Sequence, residues 1–138
     1  MHKQGSDKEN MAPDEFLCDF CHRPWAEDRP MIEGHQGSII CGACLTVAFA
    51  AMASPAGHAS AATHASAATH APAATHASAA THAPAPGTKC NLCLETRAEF
   101  GPMWQSPRFE EAWVCTRCAD QAAETLEEDT ETPWSRPK

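Results

Sequence analysis

The sequence predicts a small α+β protein that is stabilised by metal and built from two modules. Three observations carry this prediction: eight cysteines in 138 residues, their grouping into four Cys-x2-Cys pairs, and an alanine-rich centre between the second and third pairs. Each flanking window is close to the ~40 residues below which a chain usually needs a metal, a disulfide or a partner to fold. A single large hydrophobic core is therefore not expected.

The cysteine pairs have the spacing of two four-cysteine zinc sites, with 19 residues between the first two pairs and 21 between the last two. One Cys-x2-Cys turn directs two thiolates at an ion, and a second turn, returned by a hairpin, completes a tetrahedron. We predict two Zn ions, one bound by Cys18, Cys21, Cys41 and Cys44, and one bound by Cys90, Cys93, Cys115 and Cys118. Because four thiolates leave no position for water, the sites are expected to be structural and the protein is not expected to be an enzyme.

The two windows also agree outside the cysteines. Counted from the second cysteine of each window, Pro30-Met31 matches Pro102-Met103 in the same register. After the fourth cysteine, an apolar stripe with i, i+3, i+4, i+7 spacing recurs. It consists of Leu45, Ala48, Phe49 and Met52 in one window and of Ala119, Ala122, Ala123 and Leu126 in the other. This agreement indicates an internal duplication.

Each module is expected to contain zinc turns, a short hairpin and one C-terminal helix, as in treble-clef or zinc-ribbon folds. In the first module, strand candidates around Met31-Ile32 and Ser38 to Ile40 flank a glycine-punctuated loop. The helix that starts at Cys44 should end near Ser54-Pro55, since the residue before a proline disfavours the α region. The second helix is expected from about Cys118 to Glu128.

Composition sets the domain boundaries. We expect a disordered N-terminus at 1–15, a zinc module at 16–53, a low-complexity linker at 54–87, a second, divergent zinc module at 88–128 and a disordered tail at 129–138. The linker carries a six-residue repeat with histidines at His58, His64, His70, His76 and His82. Neighbouring histidines would lie ~19 Å apart in an extended chain, too far to share an ion. A flexible linker of this length spans roughly 33 Å, which lets the two modules meet.

The charge and apolar patterns narrow the classes of partner. A formal net charge of −8 argues against a dominant interaction with a phosphate backbone, so nucleic acid is disfavoured as a partner. The 15-residue apolar run from Ile39 to Ala53 falls short of the ~20 residues needed to span a bilayer, so no membrane partner is expected. The charged start lacks the apolar region of a secretory signal, and a cytoplasmic location is expected.

Three segments of the first module carry a further indication. They are Cys18-Asp19-Phe20-Cys21, Met31-Ile32-Glu33-Gly34, and Ile39-Ile40-Cys41-Gly42-Ala43-Cys44 followed by an apolar helix. Together they resemble the four-cysteine zinc-binding domain at the N-terminus of the ClpX unfoldase subunits. The resemblance covers residues 16–52, with a weaker echo at 88–126, and Gly42-Ala43 replaces the acidic residues usual in that family. No G-x4-GK[ST] phosphate loop occurs, so ATP binding is not expected.

The resemblance implies zinc binding by Cys18, Cys21, Cys41 and Cys44 and association with proteins, because in that family the domain dimerises and contacts adaptor proteins and some substrates. We therefore expect a non-catalytic zinc-binding module that mediates dimerisation or binds an adaptor or partner protein. Pairing of the two modules in one chain and formation of a homodimer are alternative ways to self-associate. A candidate association surface on the first helix consists of Val47, Phe49 and Met52, and the alternative is that the apolar stripe of this helix is the core of its own module.

Two other functional classes stay open. A nucleic-acid-binding zinc ribbon would use the aromatic and basic group Arg97, Arg108, Arg117, Trp104 and Trp113, although we expect the tryptophans to pack against the zinc turns. A redox protein would hold iron in place of zinc for electron transfer, since four thiolates suit both metals, or would release its thiols on oxidation as a switch. His22 and His35 lie near the first site and are expected to be solvated loop residues.

Overall fold

The computed structural model describes residue 5 and residues 12–53, 84–96, 102–131 and 133–138. The histidine repeat of the linker and Arg97 lie outside these residues. The first module contains strand β1 (Met31–Glu33), strand β2 (Ile39–Cys41) and helix α1 (Gly42–Ala53). The second contains strand β3 (Met103–Gln105), strand β4 (Trp113–Cys115) and helix α2 (Thr116–Glu128). The predicted α+β class, with a hairpin and a C-terminal helix in each module, is confirmed.

The two hairpins have the same register. Met31 pairs with Cys41 in the antiparallel sheet of the first module. Met103 pairs with Cys115, and Trp104 with Val114, in the sheet of the second module. The hairpin loop is longer in the second module, and this is where the two extra residues between its cysteine pairs lie. In each module the hairpin therefore brings the third cysteine next to the zinc turn, which is the turn formed by the first Cys-x2-Cys pair (Cys18/Cys21 or Cys90/Cys93).

Both helices begin directly after the third cysteine of their module, two residues earlier than predicted. The fourth cysteine thus lies in the first helical turn, where its sulfur faces the zinc turn. The stripe residues Leu45 and Ala48 are buried, as are the four stripe residues of α2, which are Ala119, Ala122, Ala123 and Leu126. Among the described residues, no helix is long and apolar enough to cross a membrane.

The two modules share one hydrophobic core. Helix α1 packs against α2 and against strand β3 of the other module, while α2 packs reciprocally against β1. The alanines of the two stripes leave the helices room to approach closely. The buried side chains of both modules, from Cys18 to Leu126, form one continuous cluster. Two windows that would each bury little surface alone thus bury it against each other.

Within the two segments expected to be disordered, the described residues 12–15 and 133–138 have defined contacts. Near the N-terminus, residues Pro13–Glu15 form a short 3-10 turn, in which the backbone N–H of Ala12 donates to the Glu15 carboxylate at 2.7 Å. At the C-terminus, residues 133–138 contact both helices, because the half-buried Trp134 indole is hydrogen-bonded to α1 and the Arg136 guanidinium lies 3.2 Å from the Asp120 carboxylate of α2. The polar and charged composition of the tail predicted disorder, although the tail contains one large apolar residue, Trp134, that packs on the fold.

Candidate metal centres

The first predicted zinc site is assembled by the zinc turn, the last residue of β2 and the first turn of α1. The ligand atoms of Cys18, Cys21, Cys41 and Cys44 lie within 4.8 Å of one another. The Sγ atoms of Cys18 and Cys44 are 3.8 Å apart, and those of Cys21 and Cys41 are 3.7 Å apart. A regular tetrahedron with Zn–S bonds of ~2.3 Å has edges of about 3.8 Å. The four sulfurs therefore fit a zinc ion, and none of them forms a disulfide.

The second predicted zinc site has the same construction. The ligand atoms of Cys90, Cys93, Cys115 and Cys118 also lie within 4.8 Å of one another, and all four thiols are free. Cys90 and Cys115 are buried, whereas Cys93 and Cys118 are partly exposed. The predicted cofactor, one Zn ion in each of two four-cysteine sites, is thus supported by the geometry of both sites.

Backbone hydrogen bonds hold one sulfur of each site. The N–H of Cys41 donates to the Cys18 sulfur at 3.3 Å, and the N–H of Cys115 donates to the Cys90 sulfur at 3.4 Å. Such bonds favour the thiolate, which is the form that binds metal. The equivalent bond thus recurs at the equivalent residues of the two modules.

A polar residue after the first cysteine fixes each hairpin to its zinc turn, and sequence analysis missed it. The Asp19 carboxylate accepts a hydrogen bond from the N–H of Ile39 at 2.6 Å. The amide oxygen of Asn91 accepts the equivalent bond from the N–H of Trp113 at 2.9 Å. The signal was present in the sequence as Cys-Asp-x-Cys in one module and Cys-Asn-x-Cys in the other. These side chains position the strand that carries the third cysteine of each site.

The residue after the second cysteine has a left-handed backbone in both modules. His22 has a φ of 54° and Leu94 a φ of 61°, a conformation that non-glycine residues seldom adopt. It is held by equivalent bonds, since the N–H of His22 donates to the carbonyl of Cys18 and that of Leu94 donates to the carbonyl of Cys90. The turn thereby brings both sulfurs of the pair to the same side.

The sulfurs of a cluster would share protons in the absence of a cation. A hydrogen bond from Cys18 lowers the pKa of the Cys41 thiol to about 7, whereas hydrogen bonds with Cys18, Cys21 and Cys41 raise the pKa of Cys44. Four sulfurs at these distances cannot all be thiolates unless a cation balances their charge. Zinc binding at such a cluster therefore releases protons.

Each zinc turn also contacts the hairpin of the other module. The ring of Phe20, in the first zinc turn, stacks on Trp104 with 5.7 Å between ring centroids. The Ser106 hydroxyl donates to the carbonyl of Phe20 at 2.7 Å. Reciprocally, the N–H of His35 donates to the carbonyl of Leu92, in the second zinc turn, at 2.8 Å. The metal sites and the contact between the modules are thus parts of one structure.

The packing of the two modules covers part of the candidate association surface. The hydroxyl of Thr116, in the second module, lies 3.7 Å from the Met52 sulfur, and the Arg136 guanidinium lies 5.0 Å from the centre of the Phe49 ring. Only Val47, at 42% exposure, remains strongly exposed. Most of the predicted surface is therefore occupied by other parts of the same chain.

The other predicted candidates have varied environments. Trp104 is 1% exposed and packs against a zinc turn as expected, although the turn belongs to the other module. The indole N–H of Trp113 donates to the carbonyl of Glu110, while Arg108 and Arg117 are exposed. His22 is not simply a solvated residue, because its ring stacks on Phe109 of the second module with 3.6 Å between centroids.

Comparisons with known proteins agree with this construction. Residues 17–53 match the family model described as the ClpX C4-type zinc finger. The match spans the first four-cysteine site, whereas the second site, at 90–118, rests on its geometry alone. Searches of curated proteins and of solved structures gave no match. The first module of this chain is thus similar to the ClpX C4-type zinc finger, a zinc-binding module.

Proposed function

We propose that this chain is a non-catalytic protein-interaction domain in which two zinc modules pair within one polypeptide. The observation that carries the proposal is the reciprocal contact of each zinc turn with the hairpin of the other module, through Phe20 and Trp104 on one side and Leu92 and His35 on the other. Four sulfurs at each site leave no coordination position for a reacting water, which supports a structural role for the metal.

The recurring geometry of the two modules supports a duplication. Strand register, the N–H bond to the first sulfur, the acceptor after the first cysteine and the left-handed residue after the second cysteine all recur at equivalent positions. In the ClpX zinc-binding family, the domain dimerises. The pairing of the two modules within this chain, here called the cis pair, would replace such a homodimer, because the second module would take the place of a second chain.

A groove in the first module is the surface we propose for a partner protein. It has a volume of about 350 Å³ and is lined by Pro13, Phe16, Trp25, Met31, Glu33 and Ile39. Five of these side chains are apolar, and Trp25 is 38% exposed. Because Glu33 lines the groove and the chain carries a net charge of −8, the partner segment should combine apolar anchors with a neighbouring lysine or arginine.

Selection from a random heptapeptide library tests this proposal on the zinc-loaded chain. We expect selected peptides to share large apolar residues next to a basic residue, and to lose binding when Trp25→Ala is introduced. Leu94→Ala is the matched control, because Leu94 has the same 38% exposure but lies in the second module. Equal binding of the selected peptides by the Trp25→Ala chain, or failure to select any peptide, would refute this assignment.

A further inference from the structure

The C-terminal segment, residues 133–138, occupies a specific site on the first module. The indole N–H of Trp134 lies 3.0 Å from the carbonyl oxygen of Gly42 and 3.1 Å from the Thr46 hydroxyl oxygen, so it is shared between two acceptors in the first turns of α1. The Thr46 hydroxyl itself donates to the Gly42 carbonyl at 3.0 Å. The indole is therefore held at a defined position and is not merely in apolar contact.

The site on α1 requires a residue without a side chain at position 42. A Cβ atom built on Gly42 would lie 2.8 Å from Cδ1 of the Trp134 indole and 3.2 Å from Cγ of Pro30. In the second module the equivalent residue is Thr116, whose hydroxyl donates to the carbonyl of Pro102 at 2.8 Å. The indole thus has a place on the first module that the second does not offer.

Arg136 extends the contact to the second module. Its guanidinium lies over the ring of Phe49 in α1 at 5.0 Å, and also 3.2 Å from the Asp120 carboxylate and 3.7 Å from the Glu127 carboxylate in α2. Its backbone N–H donates to the Glu127 carboxylate at 3.1 Å. Each charged pair is partly exposed and weak alone, but together they tie the segment to both helices.

We propose that residues 133–138 are an intramolecular clasp, which binds the Gly42–Thr46 site of the first module and the acidic face of α2 and so fastens the two modules in their cis pair. The clasp also covers Phe49, so a protein that binds this part of α1 has to displace it. The clasp presupposes the cis pairing proposed above, and its test therefore follows the tail and the module contact separately.

The test is the heteronuclear NOE of backbone amides in the ¹⁵N-labelled, zinc-loaded full chain. We expect residues 134–136 to be as rigid as α1, and Gly42→Ala to abolish this rigidity although the tail sequence is unchanged. Alanine is a better helix former than glycine, and without the clasp the one close contact of the new methyl group would be Pro30 Cγ at 3.2 Å. Val47→Ala, an exposed position on the same helix, is the matched control and should leave the tail rigid.

Trp134→Ala provides a second route that leaves α1 intact. We expect this variant to lose tail rigidity and to keep both zinc ions. Mobile amides at 134–136 in the unmodified chain, or a rigid tail in both Gly42→Ala and Trp134→Ala, would overturn the clasp. NOEs between the rings of Phe20 and Trp104 report the module contact in the same samples. In the unmodified chain, a mobile tail with those NOEs present would mean that the clasp is wrong and the cis pair stands, whereas absence of those NOEs would mean that the cis pair itself is wrong.

Discussion

Replacing Trp104 by alanine tests how strongly the shared core stabilises the protein. Trp104 is 1% exposed, and truncating a buried tryptophan to alanine costs about 3–5 kcal/mol. Its indole N–H has no acceptor among the described residues, so its removal also relieves an unpaired buried donor. We therefore expect a loss near the low end, about 3 kcal/mol, which corresponds to a fall in melting temperature of about 15 °C for a domain of this size.

A double-mutant cycle identifies the partner of Trp104 across the module boundary. Phe20→Ala, Trp104→Ala and the double variant are unfolded with urea in zinc-containing buffer, and the free energy of unfolding is followed by circular dichroism. Because the two rings stack at 5.7 Å, we expect a coupling energy of about 0.5–1.5 kcal/mol. Trp25→Ala is the control for loss of a tryptophan at an exposed position and should cost less than either core substitution.

The cycle has a clear negative outcome. If the two modules fold apart, the effects of Phe20→Ala and Trp104→Ala add to within about 0.3–0.5 kcal/mol. That result, or a Trp104→Ala chain as stable as the Trp25→Ala chain, would refute the shared core.

Three further predictions concern the module contact, the hairpins and the metal. Gly34→Ala places a Cβ 2.8 Å from the Leu92 carbonyl oxygen of the other module and 2.9 Å from the Ser38 hydroxyl oxygen of its own. We therefore expect Gly34→Ala to lower the melting temperature even when Ser38 is already alanine, and an unchanged melting temperature in that background would contradict the module contact. Asp19→Asn should keep the affinity for zinc, because an asparagine accepts the equivalent hydrogen bond in the second module. Asp19→Ala removes the acceptor of the Ile39 N–H and should lower the free energy of unfolding in urea by about 1–3 kcal/mol. Acidification below neutral pH should release zinc, as measured with a chromogenic chelator. A thiolate must be protonated to leave the metal, and the pKa of Cys41 is about 7 in the metal-free site and is lowered further when zinc binds. Zinc retained in strong acid would contradict four-thiolate binding.

The metal sites could be predicted from the sequence because their determinants are local. A Cys-x2-Cys turn needs only its own four residues, and the separation of the pairs fits a short hairpin. The alignment of Met31 with Met103 agrees with the structure, in which each of them pairs with the third cysteine of its module. The helix starts were placed two residues late, since Gly42 and Thr116 give no signal of a helical first turn.

The contacts between the modules could not be predicted, because no local pattern specifies them. The sequence indicates that Phe20 belongs to a zinc turn and Trp104 to a hairpin, and their stacking depends on how two windows that are far apart in the sequence dock. The linker permits this docking but does not select it. Trp134 was the one signal in the tail, a single large apolar residue among polar neighbours, and its site depends on Gly42, which is 92 residues away.

Pairing of the two zinc modules within one chain can be measured by isotope-filtered NOEs between Phe20 and Trp104. We predict that a uniformly ¹³C-labelled, zinc-loaded sample shows NOEs between the two rings, and that a mixture of labelled and unlabelled chains shows none between molecules. Intermolecular NOEs between these rings in the mixed sample would show a homodimer and rule out pairing within one chain.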